Sequence, residues 1–356
     1  MLGMVRRSRL LLAVLAMLGL VAACGDDSTS SVTTTTTSSA TTTVTPSGSI
    51  TVYSGRNEAL VKPILEQFTA DTGITVGFRA GDSGTLGAQL LTEGKASPAD
   101  VFFSQDAGAL GAVAKAGLLD KLPAATVGLV PAAYSAEDAT WVGVSGRVRV
   151  VVYNPSLAPT PPSTIDEVVD PKWKGKIGYA PTNASWQSFV TALRVLRGET
   201  GAKTWLEKFK ANDPKPYNNN GAVRDAVNGG EISLGLINHY YLYEKIAREG
   251  ASAVVAKNHY VTSGDVGGLV NVAGVGVLSS SKNKPAALAL VDYLLGEKAQ
   301  KYFAEKTFEY PLISSVAPSV DVPKLDSLKP PAIDLSDLDT LEKTQDLLAS
   351  VGLLTK

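Results

Sequence analysis

Cysteine and histidine are almost absent from this sequence of 356 residues, which has one cysteine and two histidines. A single cysteine excludes an intrachain disulfide and a cysteine-ligated metal site. The sequence has no His-Glu-x-x-His motif and no Gly-x-x-x-x-Gly-Lys-Ser/Thr loop, so the familiar zinc sites and P-loop nucleotide binding are excluded as well.

An excess of either charge is also lacking, with 33 basic and 34 acidic residues. Loss of Arg6, Arg7 and Arg9 with a signal peptide would leave 30 basic against 34 acidic residues, a net charge of −4. No basic surface is indicated, so we expect no nucleic-acid partner.

At the N-terminus, Arg6, Arg7 and Arg9 precede an apolar run over residues 10–21, and small residues then lead to Cys24. This order resembles the signal sequence of a bacterial lipoprotein. This pattern predicts a signal peptide over residues 1–23 and lipidation of Cys24, which would anchor the protein to the outer face of the cell membrane. The alternatives are an ordinary signal peptide with a chance cysteine, or an uncleaved anchor.

A stretch of almost pure threonine and serine covers residues 28–47. It cannot bury enough apolar surface to offset its ordering entropy, so residues 24–47 are predicted to form the anchor and a flexible tether. About 300 residues remain, roughly twice a typical domain, and this length favours two lobes.

The globular part alternates strand and helix patterns, which predicts an α/β fold built from βαβ units with mostly parallel sheets. Residues 50–53, 74–78, 100–104 and 232–237 are predicted strands, and an amphipathic helix is predicted near the end, over residues 338–348. Two further strands, over residues 147–153 and 267–278, are predicted to cross between the lobes.

Ligands of open α/β sheets bind beyond the carboxyl ends of strands. At one such end stand Tyr240 and Tyr241, and phenolate oxygen is a hard anionic donor suited to Fe³⁺. From the pair alone, an alternative is that one ring packs in the core while the other is merely exposed. Elsewhere in the sequence, Asn183, Ala184 and Ser185 lead into a predicted helix, which indicates either an anion site or ordinary N-capping.

Residues 81–84 spell Gly-Asp-Ser-Gly, the sequence around the nucleophile of trypsin-like proteases. Those enzymes need a histidine base before the serine in chain order, and His239 and His259 both follow it. We therefore interpret the match as chance and expect no enzyme, with an exported hydrolase as the weakest alternative.

Together, the segments of the globular part resemble the ferric-ion-binding proteins of bacterial ABC transporters. The resemblance runs from Gly48 to about Leu353 and rests on segments in one order, covering residues 50–56, 97–102, 145–153, 176–182, 237–241 and 309–312. It implies a type II periplasmic-binding-protein fold with two α/β lobes joined by crossing strands. The N-terminal lobe would comprise residues 48–147 and 272–320, and the C-terminal lobe residues 148–271 and 321–356.

The resemblance also implies roles for individual residues. Tyr240 and Tyr241 correspond to an iron-ligating pair, Asn183, Ala184 and Ser185 to the loop that binds a synergistic anion such as carbonate or phosphate, and Asn220 and Asn238 to asparagines near that anion. It further implies ferric iron or a ferric chelate as cargo, an ABC transporter permease as partner, and a monomer.

Two positions depart from the best-known family pattern. Asn57 stands where many members have a histidine ligand, and Gln105, followed by Asp106, stands where they have a glutamate. These three are predicted as further cleft residues, and the neutral amides offer only weak carbonyl donors to a metal. An alternative therefore keeps the fold and binds an oxyanion or phosphonate directly, although adjacent phenols suit such a ligand less well than Arg, Lys and amides.

Overall fold

Strands and helices alternate along residues 46–354, the part of the chain that the computed structural model describes. The predicted signal peptide, Cys24 and nearly all of the tether lie outside this range. The strands are β1 (Ser49–Ser54), β2 (Thr75–Ala80), β3 (Val101–Ser104), β4 (Val142–Tyr153), β5 (Ile177–Tyr179), β6 (Lys215–Pro216), β7 (Leu234–Asn238), β8 (Lys257–His259), β9 (Val270–Val277) and β10 (Tyr310–Pro311).

The helices follow the strands at short distances. They are α1 (Glu58–Thr72), α2 (Ser83–Glu93), α3 (Ala107–Lys115), α4 (Ala124–Val127), α5 (Ile165–Val168), α6 (Ala184–Ala211), α7 (Asn220–Asn228), α8 (Tyr240–Glu249), α9 (Lys284–Leu295), α10 (Glu297–Tyr302), α11 (Leu325–Leu328) and α12 (Leu341–Ser350). Among the described residues, no helix is both long and apolar enough to cross a membrane.

The N-terminal βαβ unit has the predicted form. Helix α1 buries Ile64, Leu65 and Phe68. It ends at Gly73, whose φ of 75° is the left-handed conformation that glycine adopts without strain. Strand β1 then pairs in parallel with both β2 and β3. Periodicity and a helix-ending glycine were sufficient to predict this unit because both act locally.

Strand β4 crosses between two groups of paired strands. It is longer than the predicted residues 147–153, because Val142, Val144 and their neighbours extend it backwards. Residues 142–148 pair with β9, whereas residues 149–153 pair with β7 and residues 151–153 also with β8. The pairing therefore changes between Val148 and Arg149, and the predicted lobe boundary at 147/148 stays a prediction.

The expectation of mostly parallel sheets holds only for the outer strands. Strand β5 pairs in parallel with β6 and β7, but β9 runs antiparallel to β3 and β4, and β4 runs antiparallel to β7. The order β2-β1-β3-β9-β4-β7-β5-β6 is thus a mixed sheet. The physical reason is that β4 and β9 carry the chain across the molecule in opposite directions.

The C-terminal tail, residues 335–350, packs against helices α3 and α6. A 3₁₀ turn over Leu335–Asp339 replaces the start of the predicted helix and lies against α3. There a Cβ on Gly108 would meet the Leu338 carbonyl oxygen at 2.3 Å. Helix α12 then packs on α6, where the hydroxyls of Thr191 and Thr344 lie 2.7 Å apart. The tail therefore links α3 to α6.

Candidate metal and anion site

A small cavity lies where α3, α6 and α8 begin, each the first helix after a strand. Of the residues predicted to bind the metal or the anion or to line the cleft, all except Asn57 and Asn220 line it. The lining consists of Gln105, Asp106, Arg147, Arg149, Asn183, Ala184, Ser185, Ser188, Asn238, Tyr240, Tyr241, Leu269 and Asn271. A wider cleft shares part of this lining. The strand ends thus bring together residues far apart in the sequence, as the rule for α/β sheets predicts.

Tyr240 and Tyr241 open helix α8 immediately after β7. Their rings stack with centroids 4.3 Å apart and an interplanar angle of 28°. Tyr240 is only 6% exposed. Burial, and then the electrostatic interaction with the neighbouring Tyr241 side chain, raise the pKa of the Tyr240 phenol well above its ordinary value, while Arg147 opposes the shift. A cation that binds the Tyr240 oxygen as phenolate must therefore displace a tightly held proton.

His239 precedes the tyrosines and is fully buried. The backbone N–H of Val148 donates to its Nδ1 at 3.2 Å, and its Nε2 donates to the Phe308 carbonyl oxygen at 3.0 Å. Burial lowers the pKa of His239 to about 4, so the ring is neutral and both nitrogens are occupied by the backbone. Within residues 46–354, no cluster of three or more His, Cys, Asp or Glu side chains is placed to hold a metal.

The loop before α6 combines N-capping with a free donor. Asn183 Oδ1 accepts hydrogen bonds from the Ser185 backbone N–H at 3.0 Å and its hydroxyl at 2.7 Å. Asn220 lies behind the loop, and its Nδ2 donates to Asn183 Oδ1 and Ser185 Oγ, both at 3.1 Å. The Ala184 N–H, by contrast, has no partner among the described residues. It is a free donor at a helix N-terminus, the kind of group that binds anions.

Sequence reasoning missed Arg147 and Arg149, although both line the cavity. The sequence could have indicated them, because a charged residue is unexpected in a valine-rich strand and residues two apart on a strand lie on the same face. Arg149 is 3% exposed and donates to Ser185 Oγ at 3.2 Å and to the Leu236 carbonyl oxygen at 2.9 Å. It makes no ion pair with a carboxylate of the described chain, and burial lowers its pKa to about 9.

A second missed feature is a buried ion pair between Arg56 and Glu309, each 2% exposed. Arg56 donates from Nη1 and Nη2 to the two carboxylate oxygens at 2.9 and 2.8 Å, and Ser145 Oγ donates to the same carboxylate at 2.7 Å. Burial by itself raises the pKa of Glu309, but the charge and hydrogen bonds of Arg56 lower it overall. The partners are 253 residues apart in the sequence, so no local pattern could predict the pair.

Asn57 and Asp106 both serve as helix caps. The exposed Asn57 accepts from the Ala59 N–H at 2.9 Å at the start of α1, and it lines only the wider cleft. Asp106 accepts from the Ala109 N–H at 3.2 Å at the start of α3. Burial raises the pKa of Asp106, against the effect of Arg147. The structure thus places Asp106 at the small cavity and Asn57 farther out.

Ser83, in the protease-like segment, has a structural contact. Its Oγ accepts a hydrogen bond of 2.8 Å from the Gln105 backbone N–H. A Cβ on Gly55 would lie 1.9 Å from this oxygen, so only glycine fits beside it. Within residues 46–354 Ser83 makes no hydrogen bond to either histidine, and both ring nitrogens of His239 are held by backbone groups, so this serine has no histidine base.

Residues 53–301 match the family model of bacterial extracellular solute-binding proteins, and the chain belongs to this family. The Fe(3+)-binding periplasmic protein of Serratia marcescens is 36% identical over 86% of this chain and 90% of its own length. This family is one of binding proteins, which confirms the expectation that the chain is not an enzyme.

Solved structures confirm the predicted type II periplasmic-binding-protein fold. Iron-bound HitA from Pseudomonas aeruginosa superposes with a TM-score of 0.79 at 34% identity, covering 86% of this chain and 99% of that chain. The Trichodesmium protein IdiA (FutA), in complex with iron and citrate, gives a TM-score of 0.73 at 30% identity over 86% of this chain and all of its own. A more distant relative, 24% identical over 72% of this chain and 74% of its own length, is a putative 2-aminoethylphosphonate-binding periplasmic protein of Salmonella typhimurium.

Proposed function

We propose that this protein captures ferric iron together with an anion in the small cavity and delivers it to an ABC transporter permease. Tyr240 and Tyr241 would supply two phenolate ligands. The observation that carries the proposal is the stacked tyrosine pair facing buried arginines in one cavity. The ferric-iron-binding relatives support the choice of metal.

The charges around the cavity support an anion alongside the metal. Arg56 is neutralised by Glu309, but Arg149 has no carboxylate partner in residues 46–354. Burying an unpaired charge is costly, so a bound anion beside Arg149 would be strongly favoured. Fe³⁺ with two phenolates keeps one positive charge, which the same anion would also balance. The anion would therefore connect the metal to the arginine.

Donors for this anion surround one end of the cavity. The Ala184 N–H, at the N-terminus of α6, has no hydrogen-bond partner within residues 46–354, while Arg149 and the Ser188 side chain line the same space. A helix N-terminus and a guanidinium both favour compact oxyanions, so carbonate or phosphate is the anion we propose. Asn183 and Asn220 would act indirectly, by holding the loop in place.

The second candidate is direct binding of an oxyanion or phosphonate, which the distant Salmonella relative favours. The two stacked phenols count against it, because a metal-free anion gains less from phenols than from arginine and amide donors. Colour separates the candidates, since iron bound to phenolate absorbs visible light and an oxyanion complex does not.

The test is a titration of the purified mature protein with ferric citrate, with and without bicarbonate. We expect a visible charge-transfer band that is stronger when bicarbonate is present. A colourless protein that still binds phosphate or a phosphonate would overturn the iron proposal in favour of the second candidate.

Delivery would involve closure of the two predicted lobes about β4 and β9. A ligand shifts an open form towards a closed one only if it contacts both sides, and the lining residues of the cavity belong to both predicted lobes. Periplasmic binding proteins are known examples of such hinge closure. Small-angle scattering should show a more compact particle with iron, and identical profiles would contradict the clamp.

We also propose that lipidated Cys24 holds the protein at the outer face of the membrane, with residues 24–47 as anchor and tether. The support is the position of the only cysteine at the end of the apolar run. Mass spectrometry of membrane-extracted protein should give a lipid-modified N-terminal cysteine. An N-terminus elsewhere or an unmodified Cys24 would exclude the anchor.

A further inference from the structure

Gln105 stands where the resembling family has a metal-binding glutamate, and its side chain is held in one orientation. Arg56 Nη1 donates to Gln105 Oε1 at 2.9 Å, while Arg56 itself is fixed by the ion pair with Glu309. A guanidinium has donors and no acceptor, so the amide atom that faces it must be the carbonyl oxygen. The amide nitrogen Nε2 is therefore turned away from Arg56.

The backbone of Gln105 is held as well. Its N–H donates to Ser83 Oγ at 2.8 Å, and its carbonyl oxygen accepts from Arg147. Within residues 46–354, Nε2 makes no hydrogen bond, and the residue lines the cavity with Tyr240 and Tyr241. The one free polar group of Gln105 is consequently a pair of N–H donors.

Asn271 also lines the cavity, and its side-chain amide is likewise held through its oxygen. Its Oδ1 accepts from the backbone N–H of Ala107 at 3.3 Å and of Val272 at 2.8 Å. This oxygen is engaged, which leaves the amide nitrogen for the cavity. Two amides, each held through its oxygen, thus present donors where a metal would need acceptors.

We propose that Gln105 is a hydrogen-bond donor to an anionic oxygen carried by the bound iron and not a ligand of the metal, with Arg56 as the positioning residue that sets this role. The inference rests on the proposed function and specifies the cargo as iron that bears an oxyanion. The anionic oxygen can come from free carbonate or phosphate, or from a carboxylate of a chelator such as citrate.

The substitution Gln105→Glu distinguishes a donor from a vacant ligand position. If position 105 merely lacked its ligand, the new carboxylate would strengthen iron binding and remove the need for an anion. If Gln105 is a donor, the carboxylate cannot donate and repels the anion, so iron affinity at saturating anion should fall about tenfold or more, in the range known for residues around metal ligands. Gln105→Met, similar in length and uncharged, should lose the anion enhancement while keeping the visible band.

The assay is iron affinity from the visible band, measured in three series with bicarbonate, phosphate or citrate as the varied anion. The series whose enhancement disappears in Gln105→Met identifies the source of the anionic oxygen. The matched control is Gln345→Glu, the same change in the wider cleft but outside the small cavity, where the anion enhancement should persist. In Arg56→Lys, with its folding checked by circular dichroism, the enhancement should weaken because the amide is no longer held.

Tighter, anion-independent iron binding by Gln105→Glu would overturn the inference. So would an unchanged anion enhancement in Gln105→Met. In both cases the wild type still binds iron, so the proposed function stands. If the wild type shows no visible band with any of the three anions, the proposed function itself fails and the inference fails with it.

Discussion

Arg149 donates a hydrogen bond of 3.2 Å to the hydroxyl of Ser185, and this contact joins the crossing strand β4 to the N-terminus of helix α6. The arginine is buried and has no carboxylate partner within residues 46–354. Within these residues its charge meets only hydrogen-bond acceptors and the rings of Trp186 and Phe189, whose centroids lie 5.8 and 5.2 Å from the guanidinium carbon. We expect that charge to serve a bound anion.

Replacing Arg149 by Met should abolish the enhancement of iron binding by bicarbonate or phosphate, because the anion loses its main positive partner. The free energy of unfolding should change by no more than about 1 kcal/mol, since relief of a buried charge offsets the lost hydrogen bonds. Anion titrations and urea unfolding measure the two effects. An Arg149→Met protein with normal anion dependence would exclude the arginine from the anion site.

The control for this variant is Arg194→Met in helix α6. Arg194 is also buried, but it hydrogen-bonds to Glu199, Thr340 and Thr344. Its loss should lower the free energy of unfolding by about 1–3 kcal/mol without altering the response to anions. Loss of Arg149 should therefore change the anion response and not the stability, whereas loss of Arg194 should change the stability and not the anion response.

Changing Tyr240 or Tyr241 to Phe should reduce iron affinity by more than about 100-fold. Even the mutation of a residue that only supports a metal ligand can lower metal affinity by up to about 100-fold. The fold should tolerate the change, since one oxygen is lost at nearly constant volume. The visible band and competition against citrate give the affinity. Tyr243→Phe is the control on the same helix, because its hydroxyl donates to the Asp321 carbonyl oxygen and does not line the cavity.

Acid should release iron, because protons compete with the metal for phenolate oxygen and burial raises the pKa of Tyr240 well above its ordinary value. The logarithm of apparent affinity should rise with pH by about one per unit for each proton displaced. In Tyr240→Phe this slope should be smaller by about one. Affinity measured from pH 6 to 8 against a citrate blank gives both slopes, and equal slopes would show that Tyr240 releases no proton.

The iron-free protein should lose stability in mild acid because of His239. Its pKa is about 4 in the folded chain against 6.5 ordinarily, so the unfolded chain binds the proton first. Neutral His239 makes its full contribution to the free energy of unfolding above pH 6.5, and this contribution declines as the pH falls towards 4. By pH 5 the free energy of unfolding should be lower by about 2 kcal/mol.

Urea unfolding of His239→Gln at pH 7.5 and pH 5 should show a smaller acid loss than the wild type. His259→Gln changes the other histidine of the chain, whose pKa burial also lowers but whose ring is only partly buried, so it should reduce the acid loss less than His239→Gln does. If all three proteins lost stability equally, some other group would be responsible for the acid sensitivity.

The sequence alone identified the tyrosine pair, the capped loop before α6 and the strand ends that carry them. Each of these depends on neighbours within a few positions: a strand followed by a helix, a side chain that caps the next turn, or two adjacent residues of one type. Periodicity also predicted β1, α1 and the existence of a crossing strand. It did not predict the antiparallel centre of the sheet, because pairing direction depends on where the chain returns.

Only the tertiary structure decided how the remaining cavity residues act. Glu309 reaches Arg56 across 253 positions, and this contact in turn orients the amide of Gln105, which the sequence presented only as a weak substitute for a glutamate. The sequence also could not show that Arg149 meets no carboxylate within residues 46–354, because this depends on all the elements around the arginine together. An amide is a donor or an acceptor according to what holds its other end, and here that partner comes from distant parts of the chain.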